Sequence, residues 1–328
     1  MNRQADGPEW CMDLWRCFNH INLKDHPMIM RIDAHVHMWE RRCLPDRAVQ
    51  LYLEPLKKLA ELGLDQVFDF RLDEEYPFPD YDEPMYTYTD AMDSNGFDYA
   101  VVLGTDFGLV NEGRMSNDDY MEWLFNRCSS DERFIPFIGI DPNRKDASEM
   151  LERYFRRYEP KGIKMYPATG FYPDDERYDG FWDKVQDMGL IVTTHAGMAL
   201  APLDERYCHP SMMRRVAETH PDTTFIIAHL GGKFYDELFP LMDACDNVCT
   251  DCSALQGWAP EDVSMILRRI SEVMHRYPQR VVFGTDTPLY EFHFSTSRFV
   301  DMIEHGDWGD DRMKADLMGD NMARILGL

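Results

Sequence analysis

Eight short apolar runs recur along the chain, and most of them end on residues that carry chemistry. They are Ile29–His35, Tyr99–Leu103, Phe134–Ile140, Gly162–Tyr166, Leu190–His195, Thr224–His229, Val248–Asp251 and Val281–Asp286. Each is brief, rich in β-branched or aromatic residues and not alternating, the pattern of parallel strands buried on both faces. Helical patterns separate many of them, including Ser148–Tyr158, Gly180–Met188, Ser211–Thr219, Lys233–Ala244 and Glu261–Tyr277. Eight strands alternating with helices over about 250 residues predict an α/β chain folded as a (β/α)8 TIM barrel. A doubly wound sheet competes, but it usually carries a Gly-rich phosphate turn after its first strand. Here the first strand ends in His-Val-His.

In a barrel the C-terminal strand ends ring one mouth. The residues due there are Asp33, His35 and His37 from strand one, Lys164 from strand four, His195 from strand five, His229 from strand six and Asp286 from strand eight. Alternate residues of a strand point the same way, so His35 and His37 can share a target. Imidazole suits zinc and its neighbours, and a carboxylate completes a site that keeps one position for water. A lone His-x-His arises often by chance; the same pair with His on strands five and six and Asp on strand eight is a specific pattern. Strand seven ends near Asp251 and Ser253, where a substrate contact is geometrically allowed.

One connection is too long for a plain barrel. Between His37 and Met85 lie five prolines and the acidic run DEEYPFPDYDEP. A loop of that size usually has a function, so residues of about 40–84 are expected to form an insertion after strand one that distorts the barrel and covers its mouth. Residues 1–27 are expected to form an N-terminal extension and residues 28–328 the barrel, with no second domain expected.

Bulk composition narrows the partners. With 34 Lys+Arg against 59 Asp+Glu the net charge is -25, which repels phosphate backbones and anionic lipid. A small-molecule substrate is therefore expected, with no nucleic-acid or membrane partner, in a cytoplasmic protein that forms a homo-oligomer at most. The 8 Cys, including the CDNVCTDC cluster, are expected as reduced thiols, since no fourth ligand has matching spacing. Aromatic residues beside the motifs, chiefly Trp39, Tyr166 and Tyr290, are candidates for lining a pocket for a planar substrate. His209, His220, His275 and His305 are expected at the surface, as are Arg206 and Arg298.

The motifs DAHVH, GIKMYP, THAG, AHLGG and GTD, with the terminal GDNMARILGL, resemble the amidohydrolase superfamily. More narrowly they resemble its amidohydrolase-related branch of metal-dependent hydrolases, lactonases, hydratases and decarboxylases. The resemblance runs from about Met30 to Leu328 and is specific for the superfamily, not for the substrate. It implies His35, His37, His195 and Asp286 as ligands of one divalent metal, zinc by preference, with manganese or iron also suited. It implies an acid/base role for His229. In binuclear superfamily members a strand-four Lys is carboxylated and bridges two metals; Lys164 is placed for that role, or for a substrate carboxylate or oxyanion contact through its free ammonium. A single metal is the favoured arrangement.

The resemblance leaves two reactions open. In the first, Asp286 accepts a proton from a metal-activated water and passes it to a leaving group while His229 polarises the scissile carbonyl of an ester, lactone or amide. In the second, a substrate carboxylate chelates the metal and departs as CO2. Decarboxylases of this branch often begin with Glu-x-His, or with His-x-His followed closely by Pro. Here Met38-Trp39-Glu40 follows, an opening closer to the lactonase and hydrolase members, so hydrolysis is favoured.

Overall fold

A computed structural model of the chain describes residues 30–40, 42–44, 86–108, 115–199, 203–258, 262–290 and 294–328. The expected N-terminal extension and nearly all of the expected insertion lie outside these residues. The described part holds eight parallel strands in sequential order: β1 (Ile32–Val36), β2 (Tyr99–Leu103), β3 (Phe134–Gly139), β4 (Gly162–Met165), β5 (Ile191–Thr194), β6 (Phe225–Ile227), β7 (Val248–Asp251) and β8 (Val281–Val282). The strands start or end within a few residues of the apolar runs. The runs of β6 and β8 continue as irregular backbone, because His229 and Asp286 adopt positive φ, near 60° in both.

Helices cross between successive strands. Those at Ala147–Tyr158, Asp179–Asp187, Tyr235–Ala244 and Val263–Arg276 match the helical patterns to within about two residues. The pattern at Ser211–Thr219 begins instead as a 3-10 turn, Pro210–Met213, before the helix Arg214–Thr219. Helices at Tyr86–Asn95, Asn117–Cys128 and Thr296–His305 were not singled out from sequence.

The ring closes between β1 and the segment after β8. Ala34 donates to the Phe283 carbonyl at 2.9 Å, Asp286 to that of His35 at 2.8 Å and His37 to that of Thr287 at 2.8 Å. The register of β1 slips between Asp33 and Val36, as a bulge does. That slip sets the site. Ile32 and Ala34 face the barrel interior with Val101, Leu103, Phe137, Ile191, Ile226, Cys249 and Val282. Above the slip, His35 and His37 are the residues that turn toward the mouth.

The interior is packed, not hollow. Gly162 opens β4 because a Cβ there would lie 2.4 Å from the Phe137 ring and 2.5 Å from the Ile191 carbonyl. Met322, Ala323 and Leu326 of the C-terminal helix Asn321–Leu326 join the interior cluster from below and floor the barrel. A larger cluster between strands and helices includes Val102, Ile138, Val192 and Trp182. Cys43, Cys128, Cys208, Cys245, Cys249 and Cys252 are all buried free thiols.

Candidate metal centre

His35 of β1 and His37 just after it are oriented by groups behind them. His35 places Nδ1 2.8 Å from Oδ2 of Asp251, and His37 places Nδ1 2.8 Å from the Leu103 carbonyl. Both partners accept, so each Nδ1 carries the proton and each Nε2 presents a lone pair. These Nε2 atoms lie 3.4 and 3.2 Å from the same oxygen, Oδ1 of Asp286. All three side chains are nearly dry, at 0%, 7% and 6% exposure. Two imidazole nitrogens and one carboxylate oxygen, gathered within 4.8 Å of one another, suit a divalent ion such as zinc, and the outer partners hold the rings in place. Burial raises the Asp286 carboxyl, while His37 and Lys164 pull it down.

The other expected residues complete the mouth. Lys164 points inward from β4, with Nζ 3.1 Å from Nε2 of His35. Burial lowers its ammonium to about 8, against the pull of Asp251 and Asp286. His195 stands outside the three-residue set. Its Nε2 meets the Met198 carbonyl at 2.9 Å, and its Nδ1 faces Nε2 of His229 at 3.1 Å. Burial, reinforced by Lys164, lowers His195 to about 3, and burial holds His229 far below its ordinary value. Both shifts favour the uncharged imidazole.

A cavity of about 270 Å³ opens above these groups, below the ~300–1,000 Å³ of drug-sized ligand pockets. Trp39, Tyr166 and Tyr290 line it, joined by Phe107, Met198 and Leu289, which sequence did not single out. Trp39 stacks on His37 with ring centroids 4.8 Å apart. Tyr166 meets His195 edge-on at 4.6 Å. Lys164 is the cation among the described lining residues.

Of the six residues expected at the surface, Arg206, Arg298, His275 and His305 are exposed, His209 is half-buried and His220 is buried. Arg206 is exposed and pairs with Asp204 at 2.6 Å. Arg298 lies over the Phe294 ring at 4.1 Å. His220, expected at the surface, is instead buried, with Nδ1 3.0 Å from the Val216 carbonyl. Asp251, which sequence placed only as a permitted substrate contact, instead sits behind the site on His35 Nδ1. The available signal was a carboxylate on the inner face of a strand otherwise built for burial, two residues after Cys249.

A support behind the cavity wall makes a pH prediction. Asp106 accepts from the Asp141 amide at 2.9 Å and from Arg144 Nε at 2.7 Å, which fixes the loop carrying Thr105 and Phe107. Burial, with repulsion from Asp106, pushes the buried Asp141 carboxyl up from 3.8 to about 6. The folded state therefore holds this proton more tightly than the unfolded state does. Its contribution to stability falls as pH rises from about 4 to about 6. The stability of wild type relative to Asp141→Asn, from urea unfolding, should fall across that window; a difference that does not change with pH would refute the assignment.

The amidohydrolase family profile matches residues 32–328. The chain belongs to the amidohydrolase family. Among solved structures, this amidohydrolase is similar to one from Burkholderia multivorans with bound zinc, at 15% identity and TM-score 0.65, covering 91% of this chain and 99% of that one. A TIM-barrel protein from Bordetella bronchiseptica matches at 17% identity and TM-score 0.67, covering 91% and 98%. A 2,6-dihydroxybenzoate decarboxylase from Rhizobium matches at 14% identity and TM-score 0.57, covering 92% and 99%. At such identities the likeness is one of fold. No curated protein sequence matches the chain. Among the described residues, no helix is long and apolar enough to cross a membrane.

Proposed function

We propose that the chain is a metal-dependent hydrolase acting on an ester, lactone or amide of a small, planar substrate. The observation that carries this is the convergence of His35 Nε2, His37 Nε2 and Asp286 Oδ1 beneath an aromatic-walled cavity. A divalent ion, zinc by preference, supplies Lewis acidity and lowers the pKa of water toward ~7 when bound. Asp286 then has the position to take up a proton and return it to the leaving group. Lys164 is placed to hold a developing oxyanion or a substrate carboxylate. Trp39, Tyr166 and Tyr290 orient a flat substrate and exclude water. His229 is the remaining acid/base candidate.

One observation favours a two-ion version of the site. His195 stands outside the three-residue set, and its Nδ1 lies 3.1 Å from Nε2 of His229, a spacing compatible with two ligands of one ion. Carboxylation of Lys164 would then supply the bridge. Metal content per chain and the intact mass of Lys164 peptides separate the versions. A single ion with unmodified lysine sinks the two-ion version.

Carboxy-lyase chemistry is the rival reaction for the same residues. The test is a panel of lactones, esters, amides and hydroxybenzoates, read for ring opening, acid release and CO2. Hydrolysis without CO2 supports the proposal; CO2 release without hydrolysis overturns it.

A further inference from the structure

Asp251 is fully buried at the end of β7, and both of its oxygens are in use. Oδ2 accepts from His35 Nδ1 at 2.8 Å. Oδ1 accepts from the backbone amides of His229 at 2.9 Å and Ser253 at 3.0 Å, and from the Ser253 hydroxyl. The contact to the His229 amide pins a residue whose backbone is left-handed, at φ 62° and ψ 31°. A non-glycine residue keeps that conformation only where its surroundings fix it.

Protons can be assigned along this network. A carboxylate only accepts, so the one Ser253 hydroxyl proton is directed at Asp251. Nδ1 of His229 lies 2.8 Å from that hydroxyl oxygen and 3.2 Å from the Ser253 carbonyl. With its proton spent on Asp251, neither oxygen donates to the ring. Nδ1 must therefore carry the His229 proton, and a neutral ring then presents Nε2 as a lone pair. On the facing ring, His195 Nε2 donates to the Met198 carbonyl at 2.9 Å, which leaves its Nδ1 as a lone pair too.

We propose that Asp251 and Ser253 are positioning residues that hold the protons of His35 and His229 on Nδ1, so that His229 offers the reaction an acceptor and not a donor. The assignment rests on reading His35, His37 and Asp286 as the metal site. It withdraws His229 from polarising a carbonyl or stabilising an oxyanion, both of which need a donor. That work passes to Lys164, whose ammonium is a donor at the same mouth. Nε2 of His229, which faces Nδ1 of His195 at 3.1 Å, is on this assignment an acceptor for a proton or a cation.

The test is nitrogen NMR of the full chain labelled at histidine nitrogens, before and after zinc addition, with a His229→Gln spectrum for assignment. The expected spectrum has His229 protonated at Nδ1 and not at Nε2. Ser253→Ala should raise the share of the other tautomer, since one carbonyl alone then holds the proton. Asp251→Asn should weaken zinc binding about 10–100-fold in competition with a chromophoric chelator. A wild-type spectrum with the proton on Nε2 overturns the proposal, as does an Asp251→Asn protein that folds and binds zinc as tightly as wild type. If Asp251→Asn does not fold, the wild-type and Ser253→Ala spectra decide alone. A wild-type protein that binds no zinc but keeps the Nδ1 proton overturns the metal reading and supports this assignment.

Discussion

His37→Ala and Asp286→Ala should each strip the protein of bound divalent metal and lower turnover of any substrate found by more than about 10³-fold. Each side chain supplies one of three donor atoms gathered within 4.8 Å, so losing one leaves too few to hold an ion in a closed geometry. Water activation goes with the ion. The fold should survive. The donors sit at the mouth, and β1 keeps its backbone bonds to Phe283 and Thr287, which do not involve these side chains. Metal analysis by mass spectrometry, circular dichroism and initial rates check the three parts separately. A variant that retains both its metal and its rate would remove these residues from the site.

The largest expected effect on stability lies at the other end of the barrel. Gly319 sits in a π-helical turn, Asp316–Asp320, between the last two helical segments. A Cβ built there falls 1.8 Å from the Met30 carbonyl oxygen and 2.5 Å from its carbon. Both are backbone atoms at the entry to β1, so no side-chain rotation relieves the clash. Gly319→Ala must push the floor away from β1 and should cost about 3 kcal/mol or more, at the upper end of overpacking penalties. Thermal unfolding of wild type and variant measures it. A Tm within about 2 °C of wild type would mean that the floor yields far more readily than its packing implies.

The strand count, the parallel order and the residues that crowd the mouth were legible because burial on both faces leaves apolar runs, and because chemistry collects at strand ends. The phase of β1 was not. Strict alternation correctly pairs His35 with His37, yet Ile32 and Ala34 occupy the interior one layer below. Only the register slip between Asp33 and Val36 lets both sets face inward. No local residue signal marks that slip. Asp251 escaped for a related reason. Its partners are the far nitrogen of a β1 histidine and the amide of His229 just after β6, contacts that exist only after the ring has closed. His195 shows the same limit: sequence places it at the mouth but cannot say which neighbour its free nitrogen will meet. The Asn117–Cys128 helix was more accessible, since Ser116 caps it by accepting from the Asp119 amide.

The seam between β1 and the segment after β8 gives the chain a timetable. Asp33 and the Thr285 amide that donates to it are 252 residues apart. At ~5–20 residues per second of synthesis, the first half of the metal centre waits roughly 13–50 s for its partner to be made. Throughout that interval the His-x-His pair is on a growing chain without Asp286, and Asp251 joins it only 216 residues after His35. A divalent ion held by His35, His37 and Asp286 would therefore be selected in the closed protein, where geometry discriminates, and not on the nascent chain, where a bare pair of imidazoles would take whichever ion binds histidine most strongly.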